Sequence, residues 1–216
     1  MKHELREPVR DKQIEAATRI HDSHMPEWAA ADRALDLLRE SLPGLDEPRA
    51  LIKASVIDRL YYARHDRLVE AVRKIAEVMV RPPSDPVGIV EAIAPLDGNR
   101  GRTCYWSFSS KFAHFFIDPE AFPIYDDWAI KAIGHHFGRL SWKGRTRYRA
   151  FADYVFALRE LSGLCCSIRE LDRYLWLSGM LRGWRTNADV GISREVRSVF
   201  EDESPDVQQD LDLMLG

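Results

Sequence analysis

The sequence contains no long apolar run, so we expect no membrane-spanning helix. Its first twelve residues, MKHELREPVRDK, are charged and lack the apolar segment of a secretory signal peptide. Cysteine is scarce: only Cys104, Cys165 and Cys166 occur, and the adjacency of the last two is a poor basis for a disulfide framework. These absences predict a cytoplasmic protein without a membrane partner.

The spacings typical of metal sites are also missing. His114, His135 and His136 lie fairly close in sequence, but no CxxC or HxxxH pattern accompanies them. We therefore predict neither a metal nor another cofactor.

A strong excess of basic residues is lacking too, since the formal net charge is −3. Residues 201–216 hold six acids and no base, and removing those six acids changes the formal net charge to +3. The body is thus mildly basic and the C-terminal tail acidic. We expect the tail either to compete with a polyanionic partner or to form a short terminal helix.

Alternation of apolar and polar residues, as in strands, is absent, whereas helical spacing dominates, so the predicted fold class is all-α. Helices are predicted at residues 26–41, 48–62, 66–80, from Pro86 onward, and at 105–117, 127–137, 147–162 and 167–182. Asp85 precedes Pro86 as a cap, and Ser167 with Glu170 matches a capping box.

The length of 216 residues allows one core or two lobes around a cleft. We predict a single two-lobed helical domain over residues 1–200, with lobes at about 25–95 and 103–185, followed by the tail 201–216. Helix 167–182 is apolar nearly all round, which predicts a central position. Its Asp172 and Arg173 are expected either in an ion pair or lining a cleft.

Lys111 stands within an aromatic stretch. On a helix over 105–117, its neighbours one turn away are Ser107, Phe108, His114 and Phe115. Burial disfavours the charged ammonium and favours the neutral amine, whose lone pair can attack an electrophilic carbon. The alternative is that the lysine tip reaches solvent across an aromatic face.

Asp126 follows the turn Pro123-Ile-Tyr and precedes a predicted helix. It is therefore predicted to be an N-cap, with its carboxylate accepting amide hydrogen bonds. The same position keeps the carboxylate anionic, so capping and a functional role are compatible.

The stretch from Lys111 through DPEAFPIYD to Asp126 resembles the active-site helix and following turn of the helix-hairpin-helix DNA glycosylases, especially the 8-oxoguanine branch. The pattern SSK…FPIYD is also similar to that of a group of bacterial proteins of unassigned role. The resemblance covers about 22 residues and implies that Lys111 is the nucleophile and Asp126 the essential aspartate. It further implies base excision with a Schiff-base intermediate and no cofactor.

Such a function needs aromatic side chains that stack on an extruded base, and the candidates are Phe115, Trp128 and Trp176. The alternative for each is that it packs in the hydrophobic core. It also needs a surface for double-stranded DNA. Segment 139–149 has five basic residues and no acid: Arg139, Lys143, Arg145, Arg147 and Arg149. Trp142 and Tyr148 are interleaved with them, which favours phosphate contacts, although a solvated loop would look the same.

Three hypotheses follow. The first is a monomeric DNA glycosylase with lyase activity. The second is a non-catalytic nucleic-acid-binding protein with the same fold, suggested because residues 107–110 lack the glycines that hold a DNA phosphate in the family's hairpin. The third is a helical scaffold or defence-associated protein in which Lys111 only packs.

Overall fold

A computed structural model describes residues 4–61, 66–98, 101–142, 144, 146–187 and 190–216. In chain order the α-helices are α1 (Asp11–Arg19), α2 (Pro26–Ser41), α3 (Glu47–Leu60), α4 (Leu68–Val80), α5 (Pro86–Ile93), α6 (Trp106–Phe116), α7 (Asp127–Phe137), α8 (Arg147–Leu161), α9 (Ile168–Thr186), α10 (Arg194–Phe200) and α11 (Pro205–Leu215). A five-residue π-helix (Ile20–His24) continues α1 directly.

The described sheet has two antiparallel strands, β1 (Pro95–Gly98) and β2 (Gly101–Cys104), with Pro95 opposite Cys104. The predicted all-α class is therefore confirmed. None of the helices in the described ranges is long and apolar enough to cross a membrane.

Helix starts follow the local capping chemistry. The carboxylates of Asp46 and Asp85 accept amide hydrogen bonds at the starts of α3 and α5, and Pro86 occupies the first turn of α5. Ser167 and Glu170 form the predicted capping box of α9, with both reciprocal bonds present. Satisfying these otherwise unpaired amides explains why the predicted starts agree with the observed ones.

The chain divides into two compact units that interleave along the sequence. Unit 1 comprises residues 1–30, 126–141 and 153–216, and unit 2 comprises 31–125 and 142–152. The lobes predicted from the sequence were continuous stretches, whereas each unit here draws on separated segments.

Unit 1 is built around α9, which packs against α1, α7 and α11. Nearly all its residues from Leu171 to Leu181 are buried, as its apolar character predicts. Arg173 makes its ion pair with Asp22 of the π-helix, with 3.5 Å between Nη1 and the carboxylate oxygen.

Unit 2 packs α6 against α3 and α5, and α4 against α3 and α5. The β-hairpin of β1 and β2 leads into α6, and the Tyr105 amide donates to the Ala94 carbonyl at its base. Arg67 donates to the Leu96 and Asp97 carbonyls, and so ties β1 to the start of α4.

Candidate site around Lys111 and Asp126

Helix α6 holds Lys111 in its middle turn, not at its start. Residues Phe108–Phe116 are all buried, and only 8% of Lys111 is exposed. A helix with apolar residues on every side is buried all round, and Lys111 shares that burial. Most of its side chain is thus withdrawn from water.

Ser107 and Tyr61 of unit 2 approach the Lys111 amine. Its Nζ donates to the Ser107 hydroxyl oxygen at 3.2 Å, one helical turn earlier. The Tyr61 ring lies with its centroid 5.9 Å from Nζ, a distance at which an ammonium is attracted to an aromatic face. Tyr61 also packs against Phe115, and its hydroxyl donates to the buried Asp32 carboxylate.

Sequence reasoning found Ser107 from helical spacing but missed Tyr61 and Asp32. Both come from other helices, α2 and the C-terminal end of α3, so no local pattern connects them to Lys111. A usable signal was Asp32 within the largely apolar stretch WAAADRALDLL, since a carboxylate that such a helix buries needs a partner.

The turn after α6 is held by side chains of α6 itself. The Tyr125 amide donates to the Ser110 hydroxyl at 2.9 Å, and His114 Nδ1 donates to the Phe122 carbonyl at 2.9 Å. Because a carbonyl only accepts, this bond fixes the proton on His114 Nδ1. The residues before Lys111 and before Asp126 are therefore bonded to each other.

Asp126 is the N-cap of α7, as predicted. Its backbone is extended, and its carboxylate accepts the Trp128 amide at 2.8 Å. Asp126 is half-buried. It is the first residue of the unit 1 segment 126–141, whereas Lys111 belongs to unit 2. Joint action of the two side chains remains a prediction.

Trp128, a predicted stacking residue, packs closely on α9. A Cβ atom at Gly179 would meet the Trp128 carbonyl oxygen at 2.2 Å, and one at Gly183 would meet its ring at 2.7 Å. Lys131 Nζ lies 3.9 Å from the centroid of the same ring. The two glycines thus permit the close approach of α7 to α9, and the half-buried Trp128 fills part of that contact.

The other two predicted stacking residues have different surroundings. Phe115 is 2% exposed and packs between Tyr61 and His114, so it belongs to the core of unit 2. Trp176 is half-buried and contacts Trp28, with 4.6 Å between ring centroids.

The predicted basic segment divides into groups with different roles. Arg139 and Arg147 are exposed, while Lys143 and Arg145 lie outside the described residues. Arg149 binds the carboxylates of Asp85 and Glu91, which raise its pKa through direct hydrogen bonds. This ion-paired arginine anchors the first turn of α8 within unit 2.

A second buried lysine lies in unit 2. Lys53 on α3 is 1% exposed, donates to the Gly44 carbonyl at 2.9 Å and lies 5.2 Å from the Phe116 ring centroid. Burial lowers its pKa from the ordinary value, with the positive charge of Arg49 adding to the effect. Lys53 is thus a natural comparison for Lys111, since both amines approach aromatic residues of unit 2.

The histidines considered for a metal site bond to protein groups. His136 Nδ1 donates to the Glu7 carbonyl at 2.7 Å, and its Nε2 accepts from the Tyr174 hydroxyl at 3.1 Å. His135 lies beside the Glu7 carboxylate. Over the described ranges, no cluster of three or more histidine, cysteine or acidic residues is arranged to hold a metal ion.

The acidic tail forms a terminal helix, α11, which is the second of the two alternatives predicted for it. Val207, Leu211 and Met214 of α11 are buried, and α11 packs on α1 and α9. Two tail carboxylates bind arginines of unit 1: Asp210 with Arg19 and Asp212 with Arg185, each at 2.7 Å.

Comparison with protein-family models, with curated proteins and with solved structures finds no match for this chain.

Proposed function

We propose that the chain acts on damaged or abasic DNA through Schiff-base chemistry at Lys111, as a DNA glycosylase with lyase activity. The observation that carries this proposal is the burial of Lys111, with its amine beside Ser107 and Tyr61. A lysine withdrawn from water loses its proton more readily than an exposed one, and only the neutral amine attacks carbon.

The reaction that this amine supports starts on C1′ of an extruded nucleotide. The Lys111 nitrogen forms a bond to C1′, and the glycosidic bond breaks as the base leaves with its electron pair and takes up a proton. Loss of the amine proton and opening of the sugar ring give an imine. β-Elimination of the 3′ phosphate then cleaves the strand.

Asp126 is the residue we assign to stabilising positive charge that develops on the sugar. Support comes from its N-cap position, where the Trp128 amide at the start of α7 orients its carboxylate. The bond from the Tyr125 amide to Ser110 supports the same assignment, because it links the segments that carry the two groups. In this proposal Arg139 and Arg147 contact DNA phosphates, and the protein works in the cytoplasm as a monomer without a cofactor.

A non-catalytic DNA-binding role is the second candidate, and one observation favours it. Before α6 the chain forms strands β1 and β2, and α6 starts at Trp106 without a side-chain cap. In the family that the sequence resembles, a glycine-rich hairpin supplies amides to a phosphate and the lysine begins the helix. Binding without chemistry would be compatible with this difference.

Borohydride trapping on duplex DNA with one abasic site tests the proposal. The wild-type protein should form a covalent adduct, because borohydride reduces the imine to a stable amine. Lys111→Gln should abolish the adduct and Asp126→Asn should reduce it, with both variants keeping the wild-type circular dichroism spectrum.

Lys53→Gln is the matched control, since it removes another buried lysine of unit 2. It should retain trapping if it remains folded. Lys131→Gln, at an exposed position, provides a second control for general loss of positive charge. A wild-type protein that binds DNA without ever being trapped would exclude the lyase and leave the non-catalytic candidate.

A further inference from the structure

A groove of about 500 Å³ opens in unit 1 beside α1 and the loop that precedes α9. Both members of the adjacent pair Cys165 and Cys166 line it. Both are free thiols; Cys165 is exposed and Cys166 is half-buried. Two thiols on neighbouring residues therefore open onto one cavity.

The backbone just after this pair is held firmly. Ser167 is the N-cap of α9, and its amide and hydroxyl both donate to the Glu170 carboxylate, at 2.8 Å and 2.7 Å. Because Cys166 directly precedes this capping box, its position relative to α9 is fixed. The two thiols are thus presented by an ordered turn at a helix start.

A disulfide is a poor product for this pair. Cα atoms of neighbouring residues are about 3.8 Å apart, whereas disulfides join Cα atoms separated by roughly 4.4–6.8 Å. Two sulfur atoms that share a larger bridging atom need not approach to bonding distance of each other. The pair is better suited to chelation than to oxidation.

Charge and hydrogen bonding in the groove narrow the class of ligand. Asp11 and Glu15 line it, while the charge of Arg19 is taken up by Asp210, so an anion is disfavoured. The Thr18 hydroxyl is buried and, within the part of the chain that the structure describes, has no hydrogen-bond partner. A buried hydroxyl of this kind is normally satisfied by water or a ligand.

We propose that Cys165 and Cys166 form a binding site for a thiophilic trivalent metalloid, of the class of monosubstituted arsenous acids, R–As(OH)2. Soft thiol sulfur prefers such centres to hard cations. Two As–S bonds form and two As–O bonds break, and the thiol protons leave with the two hydroxides as water. The oxidation state does not change, so no oxidant or reductant is required.

The protonation state of the Cys166 thiol suits a reaction in which neutral thiols condense with As–OH groups. Burial raises the pKa of the Cys166 thiol to about 11, with the nearby Glu170 carboxylate adding to the effect. Cys166 is thus protonated at neutral pH, and its proton is available to the departing hydroxide. The proposal is independent of Lys111, which belongs to unit 2.

Phenylarsine oxide is the probe, and intact mass spectrometry is the measurement. The wild-type protein should gain one phenylarsenic group per chain that survives excess 2-mercaptoethanol and is removed by dithiothreitol. Bidentate capture predicts this pattern, because a monothiol competes poorly with two thiols held together.

The three cysteines provide a complete set of variants. Cys165→Ser and Cys166→Ser should each lose the monothiol-resistant adduct, while Cys104→Ser should retain it. Removal of the wild-type adduct by 2-mercaptoethanol would overturn the proposal, and so would its loss in Cys104→Ser. Circular dichroism of each serine variant separates loss of the site from loss of the fold.

Discussion

The Ser110 hydroxyl accepts the Tyr125 amide at 2.9 Å and donates to the Ser107 carbonyl at 3.1 Å. One buried hydroxyl thereby joins the middle of α6 to the chain just before Asp126. Ser110 and Tyr125, fifteen positions apart in sequence, are thus joined by a direct hydrogen bond.

Ser110→Ala should destabilise the protein by about 1–3 kcal/mol, because the Tyr125 amide loses its acceptor. Urea unfolding measures this change. Ser109→Ala is the control, since it removes an equally buried hydroxyl of the same helix and leaves the Tyr125 amide bonded. Equal losses in the two variants would show that the bond to Tyr125 contributes nothing specific.

Glycines on α7 and α9 should respond in opposite directions to alanine. Gly179→Ala should lower the melting temperature, since its Cβ would meet the Trp128 carbonyl oxygen at 2.2 Å and overpacking costs about 1–3 kcal/mol. Gly134→Ala should raise it, because nothing lies within 4 Å of that Cβ and alanine favours a helix by about 1 kcal/mol. Differential scanning calorimetry of the two variants tests the close α7–α9 contact.

His136 should make stability depend on pH. Burial lowers its pKa from 6.5 to about 4, so the folded state holds it neutral while the unfolded state takes up a proton below pH 6.5. Its contribution is fully present above pH 6.5 and is lost as pH falls toward 4, by about 3 kcal/mol in total. The measurement is the free energy of unfolding in urea between pH 4 and 7.

The control for that measurement is His136→Gln, which removes the titrating ring. The variant should be less stable at pH 7 but should lose less stability than the wild type on acidification. Parallel curves for the two proteins would mean that another group causes the acid dependence.

Arg147 and Arg149 should differ although they are two residues apart. Arg147→Ala should leave stability unchanged, since the side chain is exposed, and should weaken DNA binding with a smaller salt dependence. Arg149→Ala should lower the melting temperature, because it leaves Asp85 and Glu91 without their shared partner. Fluorescence anisotropy across a salt series, combined with thermal melting, distinguishes the two roles.

Helices with clear local signals at their starts, such as Pro26 or the Ser167 capping box, could be predicted closely from the sequence. The predicted range 26–41 coincides with α2, and the capping box at Ser167 marks the start of α9. Helix α1 was missed because its buried face carries the small side chains of Ala16 and Ala17 beside Ile14, while most of its other positions are charged or polar. What buries that face is α9 and α11, far along the chain.

The hairpin and the surroundings of Lys111 were missed for a similar reason. Leu96 is the buried apolar residue of β1, and the strand is held by Arg67 of another segment. Likewise, Tyr61 reaches Lys111 through packing between helices, and Asp32 in turn bonds the Tyr61 hydroxyl. Neighbours on one helix follow from spacing, whereas these partners depend on contacts distant in sequence.

The packing of α1 on α11 also has a consequence for biosynthesis. About 190 residues separate the two helices, which at 5–20 residues per second corresponds to roughly 10–40 s of translation. Helix α1 therefore emerges from the ribosome long before its partner exists, with Ile14 and Ala17 uncovered. During that interval the side chains that α9 and α11 later cover are accessible to chaperones, and unit 2 has time to fold first.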